Sequence, residues 1–345
     1  MALQTYSEII ESLHKKKRAK HLLLGNGFSM SYDPNIFSYN ALNNFLDKLN
    51  DPLITKLFNI INTKNFELVM QQLDNFCELA EAFSSDKEFI EKIFEANDSL
   101  KHSLIDAVKT LHPEHVFKIP DDKSQQCSVM LNEYLKNGGH VFSTNYDILL
   151  YWVLMRSNIS NAIDGFGRYA DENTLSDFET DIEWSELTWG PNKPKQNIHY
   201  LHGALPLFDT GPTVIKEQYD GHHILENIKK RVENKQYPIF ITAGNADDKL
   251  SHILHNQYLS YCYEKLSTIT GSLVTFGFNF GKYDDHLIEA INMAVKFDTV
   301  RKDKLWSIYI GVYSEEDEKH INSIKKKFNC KVNLFDAKTA NFWQE

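Results

Sequence analysis

A glycine-rich run, GNG at 25–27, follows an apolar stretch and precedes a small hydroxyl residue, Ser29. A strand, a glycine turn and a helix start in this order present backbone N–H groups to a phosphate in nucleotide-binding folds. Met30 stands where a dehydrogenase would have a third glycine, and Asp47, at the distance of the ribose-binding acid, lies in a helical pattern. The run therefore favours phosphate binding without hydride transfer, with a plain strand-to-helix turn as the alternative.

A second group of reactive side chains is Asp284, Asp285 and His286. Carboxylates and imidazole are metal ligands, so the spacing alone admits a metal cluster. Adjacent acids at the start of a helix point apart, however, and carboxylates in a first turn suit the helix dipole. We therefore expect helix capping or a ribose contact here and no metal site.

The four cysteines, Cys77, Cys127, Cys262 and Cys330, lie far apart in the sequence. They form no CxxC pair, which argues against a zinc module and a disulfide framework and is typical of buried thiols in a reducing compartment. No apolar stretch approaches the length of a membrane span, and residues 1–20 are amphipathic rather than a signal peptide. These features predict a cytoplasmic protein that does not bind membranes.

The formal net charge is −10 over 345 residues. A broad positive field is what neutralises nucleic-acid phosphates, so this charge argues against general nucleic-acid binding. The one basic run, residues 15–18, ends a predicted first helix over 4–17, where lysine and arginine suit the dipole.

The pattern of apolar residues predicts an α/β protein. A buried strand is expected at 20–25, and apolar spacings of three and four predict helices through 38–136. Short apolar runs then alternate with helical stretches, which indicates a parallel sheet. These runs cover residues 140–145, 198–203, 237–244, 272–278, 305–312 and 332–335.

We therefore predict a Rossmann-like, mostly parallel sheet of about six strands, with helices on both faces and a helical insertion. Residues 1–37 and 137–345 would form one domain, and 38–136 the insertion. Ligands of such sheets bind at the carboxyl ends of the strands, where the runs end in GNG, STNYD, LHG, TAGN and GFN. The segment 157–197, rich in Gly, Asn and Trp, is predicted to be an irregular insertion that could cover this edge.

Four motifs occur in order, each at a predicted strand end: GNGFS at 25–29, STNYD at 143–147, HYLHG at 199–203 and FGFNFGKYDDH at 276–286. Together they resemble the sirtuin-like superfamily. They are most similar to a bacterial branch of it, long catalogued as a domain of unknown function, whose members carry GNGFS, TNYD, LHG and a final GxxxxxxDDH. The resemblance covers nearly the whole chain.

The resemblance implies chemistry on NAD. Sirtuins cleave the bond between nicotinamide and ribose, and many bacterial sirtuin-like domains hydrolyse NAD and serve phage defence by depleting it, a form of abortive infection. The implied activity is an NAD glycohydrolase that releases nicotinamide and ADP-ribose, with NAD as substrate and no metal. The catalytic Asn and His of the family map to Asn145 and His202.

The residue types suit this reaction. The amide of Asn145 can hold ribose hydroxyls and the incoming water, and His202 can take a proton. Strand alternation puts His199 on the opposite face, away from the motif position. Asp147 either orients Asn145 or caps a helix. The residues expected to contact the dinucleotide are Gly25, Asn26, Gly27, Ser29, Thr144, Asp147, Gly277, Asn279 and Asp284.

Two departures from the sirtuin deacetylases count against protein deacylation. The four-cysteine zinc module has no counterpart, and residues 34–38 lack the arginine of the acid–aromatic–arginine run. The second departure leaves open how nicotinamide is held. The alternative function is a non-catalytic NAD or ADP-ribose sensor in a defence complex. An unrestrained NAD hydrolase would kill its host, so we expect control from outside, through a homo-oligomer, a small nucleotide or a sensor protein encoded nearby.

Overall fold

The computed structural model describes residues 3–34, 52–61, 66–84, 86–111, 118–157, 159–169, 186–219, 224–234, 236, 238–241, 246–296 and 303–343. Several sequence predictions concern residues that lie wholly or partly outside these ranges. They include the helical run at 41–50, most of the segment 34–38, the TAGN tip at 242–245 and residues 170–185 of the segment 157–197.

The strands of the described residues are, in chain order, β1 (Lys20–Leu24), β2 (Val141–Ser143), β3 (Phe166–Gly167), β4 (Leu187–Trp189), β5 (Ile198–Tyr200), β6 (Gly203–Asp209), β7 (Val214–Lys216), β8 (Pro238–Phe240), β9 (Gly271–Phe276), β10 (Leu305–Val312) and β11 (Lys331–Asp336).

The helices of the described residues are α1 (Tyr6–Lys15), α2 (Asn26–Tyr32), α3 (Pro52–Ile61), α4 (Phe66–Phe83), α5 (Lys87–Leu111), α6 (Asp121–Leu135), α7 (Leu149–Arg156), α8 (Ile224–Glu233), α9 (Ala246–His255), α10 (Gln257–Leu266), α11 (Asp285–Val295) and α12 (Glu315–Ile324), with 3₁₀ turns at Lys193–Lys195, Lys325–Lys327 and Ala337–Thr339.

A six-stranded parallel sheet carries the polar motifs. Its order is β11-β10-β9-β1-β2-β5, and every neighbouring pair runs parallel. Counted along the chain, the six strands read 3-2-1-4-5-6, the doubly wound order in which the direction of winding reverses between the first and fourth strands. All residues of β1 and β9 are buried, as expected of strands covered on both faces. The predicted Rossmann-like α/β fold is confirmed.

A second sheet was not predicted. Its order is β3-β4-β7-β6-β8, and all its pairs are antiparallel. The run 237–244, which we expected in the parallel sheet, contributes β8 to this second sheet, so that prediction is wrong. A short apolar run has the same appearance in either kind of sheet. The segment 157–197 supplies β3 and β4 and is thus not wholly irregular.

The region predicted to be helical contains α3, α4, α5 and α6. Helices α4 and α5 pack against each other, and α5 contacts α8. Helix α6 lies against β1 and β2, and a hydrogen bond of 2.9 Å joins the hydroxyls of Tyr134 and Tyr6. Helix α6 thus packs on the central sheet, while the domain boundaries at 37 and 137 stay predictions. Within the described part of the chain, no helix has both the length and the hydropathy needed to cross a bilayer.

Candidate active site

The register of the parallel sheet brings the polar motifs to one edge. Ser143 of β2 pairs with Leu24 of β1 and with Tyr200 of β5, and Leu24 pairs with Phe276 of β9. The residues that follow these four therefore leave the sheet at the same level. Since parallel strands lie about 4.8 Å apart, the loops that carry GNGFS, TNYD, LHG and GFNFGKYDDH are neighbours.

Three glycines let the first and last of these loops touch through their backbones. A Cβ atom on Gly25 would lie 2.5 Å from the carbonyl oxygen of Gly277, and one on Gly27 would lie 2.6 Å from the Cα of Gly277. Gly277 itself has φ +68°, in the left-handed region that favours glycine. Contact between the two loops thus accounts for the glycines at these positions.

The backbone amides of the glycine loop are partly engaged within the protein. Gly25 donates to the carbonyl of Phe276 at 3.0 Å, Gly27 to that of Gly277 at 2.9 Å, and Phe28 to that of Gly25 at 2.9 Å. The side-chain Nδ2 of Asn26 is buried and has no hydrogen-bond partner among the described residues. It is a free donor beside the crevice where doubly wound folds bind nucleotides.

A buried hydrogen-bond chain joins the first two motifs. The Asn145 amide donates from Nδ2 to Oγ of Ser29 at 2.8 Å, and the Ser29 hydroxyl donates to Oδ2 of Asp147 at 2.6 Å. The carboxylate of Asp147 also accepts from the backbone N–H of Leu149 at 2.9 Å. An ionised carboxylate only accepts, so Ser29 must donate to it and accept from Asn145. The chain orients the amide and leaves Oδ1 of Asn145 for a ligand.

Asp147 is not the N-cap of α7, because Ile148 occupies that position. It holds the first turn of α7 through Leu149, and it orients Asn145 through Ser29. Burial raises the pKa of Asp147 to about 6, and the hydrogen bonds from Ser29 and Leu149 oppose that rise. The carboxyl group therefore titrates close to neutrality.

The short helix α2, which carries Ser29, is held by the end of the chain. The indole Nε1 of Trp343 donates to the carbonyl of Phe28 at 3.1 Å and to Oγ of Ser31 at 2.9 Å. The ring of Trp343 lies 4.8 Å from that of Phe28 and 5.0 Å from that of Tyr32, between centroids. Trp343 therefore anchors the helix that carries Ser29.

His202 lies where the chain leaves one sheet for the other. β5 ends at Tyr200, and β6 begins at Gly203 with φ +79°. The carbonyl of His202 accepts the Ile241 N–H at 2.8 Å. Asn145 and His202 are 7% and 6% exposed, so both predicted catalytic side chains lie at the strand ends with little contact with solvent.

The imidazole of His202 contacts that of His286 on α11. Their Nε2 atoms are 3.0 Å apart, and the ring centroids are 5.2 Å apart. Burial, His286 and Lys249 hold the pKa of His202 well below its usual value. Burial and Lys249 lower the pKa of His286 to about 4, against the raising effect of Asp284. Both rings are therefore neutral at pH 7.

The chain matches the family described as Domain of unknown function (DUF4917), over residues 22–343. It belongs to the DUF4917 family. No curated protein matches the chain. All four sequence motifs fall within the matched residues.

Other predicted ligand-binding residues of this DUF4917 protein have partners of their own. Thr144 donates from Oγ1 to the carbonyl of Leu24 at 3.2 Å. Asn279 is exposed and donates to Asp317 at 3.0 Å, so the structure does not join it to Asn145. Asp284 accepts from Lys249 at 2.9 Å.

The acidic group at the start of α11 forms ion pairs and makes no side-chain capping bond to that helix. Asp284 is the N-cap residue of α11, and its carboxylate accepts from the Gly281 N–H at 3.0 Å rather than from α11. Asp285 pairs with Lys327 at 2.6 Å. Among the described residues, no group of three or more His, Cys, Asp or Glu side chains is arranged to hold a metal ion. The four cysteines are free thiols.

Sequence reasoning missed two members of the site. The sequence offers His286 only as a metal ligand or as part of a cap, and its place in the DDH motif is the one signal that connects it with the LHG motif. Lys249 carried no such signal, because its segment resembles the start of any acidic helix. The structure pairs it with Asp284, and its charge lowers the pKa of both imidazoles.

Proposed function

We propose that this DUF4917 protein is a sirtuin-like NAD glycohydrolase. The observation that carries the proposal is the buried chain from Asn145 through Ser29 to Asp147 at the carboxyl ends of β1 and β2, next to the switch point between β1 and β9. It presents an oriented amide where doubly wound folds bind nucleotides. His202 follows the next strand, and the order of the motifs resembles that of the sirtuins.

In the proposed reaction, the bond between ribose C1′ and the nicotinamide nitrogen breaks, and its electron pair goes to nicotinamide. Positive charge builds on the ribose, as in glycoside hydrolysis. Oδ1 of Asn145 accepts from a ribose hydroxyl or the attacking water. Neutral His202 takes one proton as the water oxygen bonds to C1′. The products are nicotinamide, ADP-ribose and a proton.

The glycine loop would lie beside the pyrophosphate. The N–H groups of Gly25, Gly27 and Phe28 are engaged in the protein, so the donor proposed for the pyrophosphate is the side-chain Nδ2 of Asn26, which has no partner among the described residues. Ser29 acts through Asn145 and does not need to touch the substrate. The dinucleotide is bound as a substrate and no metal takes part.

We further propose, from the same resemblance, that the protein acts in the cytoplasm as the NAD-depleting effector of an antiviral system. An active hydrolase of NAD must be restrained in uninfected cells. A ligand or partner shifts a population only by binding one state better. The restraint or activation would come from self-association or from a sensor protein encoded nearby.

A second candidate is an NAD or ADP-ribose sensor without catalysis. The low pKa of His202 favours it, because a base whose pKa lies far below the working pH accepts a proton weakly. A deacylase is disfavoured, since the cysteines are free thiols scattered along the chain.

The deciding experiment incubates purified protein with NAD over a wide range of protein concentrations and measures nicotinamide by chromatography. Asn145→Ala and His202→Ala should lower kcat by about 100- to 10,000-fold. Asn197→Ala and His199→Ala are matched controls, because each removes a polar side chain of the same type that is held by hydrogen bonds away from the site. They should lose stability and keep kcat.

The outcomes separate the two candidates. NAD binding by calorimetry without nicotinamide release, alone or with the products of neighbouring genes, would favour the sensor. Neither binding nor release would reject both. For the biological role, cells that express the wild-type protein should lose NAD after phage infection, and cells with Asn145→Ala should not.

A further inference from the structure

The contact between His202 and His286 has a chemical consequence. A hydrogen bond between two nitrogens needs a proton on one atom and a lone pair on the other. At 3.0 Å between the Nε2 atoms, two neutral rings must therefore be in opposite states at Nε2. The substrate can reach only Nδ1 of His202, because Nε2 is occupied.

The two possible arrangements differ in what His202 can do. If His286 donates, His202 holds its proton on Nδ1 and offers the substrate a donor. If His202 donates from Nε2, its Nδ1 carries the lone pair and can accept a proton. Only the second arrangement makes a neutral His202 a general base.

The proposed role of His202 as a general base requires the second arrangement. His286 then carries its proton on Nδ1, which is buried and has no hydrogen-bond partner among the described residues. Its Nε2 is then a lone pair that can accept from His202. The main chain at His286 is held as well, since the hydroxyl of Tyr263 donates to the carbonyl of His286 at 3.0 Å.

Resting on the proposed NAD hydrolysis, we propose that His286 is a positioning residue that accepts the Nε2 proton of His202 and makes Nδ1 of His202 the proton acceptor. When Nδ1 takes a proton from the attacking water, His202 becomes an imidazolium whose Nε2–H remains bonded to His286. No proton passes to His286. A histidine of the DDH motif, His286, thus sets the tautomer of the histidine of the LHG motif, His202.

The tautomers can be read directly by nitrogen NMR of the full chain labelled with ¹⁵N-histidine at pH 7.5. His202 should carry its proton on Nε2 and His286 on Nδ1, with signals assigned through His202→Asn and His286→Gln. A proton on Nδ1 of His202 would overturn the proposal. This measurement needs no activity and no destabilising variant.

Kinetics supply the second test. His286→Leu removes the acceptor and should lower kcat for NAD by about 100-fold, the low end of general-base effects, with a small change in KM. His286→Gln keeps an acceptor at the position of Nε2 and should recover most of kcat. A folded His286→Leu with wild-type kcat would reject the proposal. If the wild type does not hydrolyse NAD, the proposed function fails, while the nitrogen spectrum still decides how the two histidines share the proton.

Discussion

Ser29 and Asn145, 116 residues apart in the chain, are joined by a hydrogen bond of 2.8 Å at the edge of the parallel sheet. The bond links the helix after β1 to the loop after β2. Asp147 is the final acceptor. Residues of two sequence motifs thus orient the amide of Asn145.

Removing the hydroxyl with Ser29→Ala should therefore lower activity through Asn145. The amide loses its acceptor, and kcat for NAD should fall by up to about 100-fold, as expected for a misplaced catalytic group. The free energy of unfolding should fall by about 1–3 kcal/mol, because buried polar groups lose partners. Activity is measured by nicotinamide release and stability by urea unfolding.

Ser31→Ala is the matched control on the same helix. Its hydroxyl donates to the carbonyl of Phe28 and accepts from Trp343 without touching Asn145. It should cost less stability than Ser29→Ala, because Ser31 is exposed whereas Ser29 is buried, and it should keep kcat. Equal losses of kcat in both variants would show that the helix as a whole, rather than the bond to Asn145, matters.

The contact between the two glycine-containing loops predicts that alanine substitution destabilises the protein more at Gly277 than at Gly138. Gly277 and Gly138 have φ +68° and +72°, so alanine costs about 1–2 kcal/mol at either position through left-handed strain. A methyl group on Gly277 would also overlap the backbone of Gly27 and Phe28, whereas nothing lies within 4 Å of one on Gly138. Overpacking should add about 1–3 kcal/mol for Gly277→Ala alone. Urea unfolding of the two variants measures the difference, and equal costs would contradict it.

The raised pKa of Asp147 predicts that the folded protein loses stability as the pH rises. Its folded pKa of about 6 lies above the reference value of 3.8, so its contribution is fully present below pH 3.8 and is lost as pH rises through 6. The change amounts to about 3 kcal/mol. Asp147→Asn should remove it, and the unfolding free energy of the variant relative to wild type should therefore increase from pH 4 to pH 7. A difference independent of pH would show that Asp147 titrates normally.

A separate histidine chain predicts the opposite dependence. His199 and His140 are joined at 2.9 Å between Nε2 and Nδ1, and the His140 N–H donates to His21 at 3.1 Å. Burial lowers the pKa of His21 to about 3 and that of His140 to about 4. The folded state needs these rings neutral, so this stability is present above pH 6.5 and is lost as pH falls toward 4.

His140→Gln should therefore weaken the acid sensitivity. Urea midpoints between pH 7 and pH 4.5 should fall less steeply for this variant than for the wild type. His255→Gln, at an exposed position on α9, serves as the control and should follow the wild type. If His140→Gln also follows the wild type, the three hydrogen-bonded histidines are not the source of the acid response.

Local sequence pattern was sufficient for the parallel sheet. Continuous apolar runs such as those of β1 and β9 are typical of strands buried on both faces, and the motifs GNGFS and STNYD end such runs. The second sheet could not be predicted in the same way. All but the last residue of β6 are buried, so no alternation of polar and apolar residues marked it as a strand, and β8 resembled a parallel strand.

The sequence by itself determined which residues stand at strand ends, because a strand and the turn that follows it are set by neighbouring residues. It placed Asn145, His202 and the glycines at the edge where ligands of such sheets bind. Only the tertiary structure decided their partners. The pairing of Leu24 with Ser143 and Phe276, and of Ser143 with Tyr200, brings Ser29 to Asn145, Gly27 to Gly277 and His286 to His202. These contacts depend on strand order and register, which arise from interactions among residues distant in the chain.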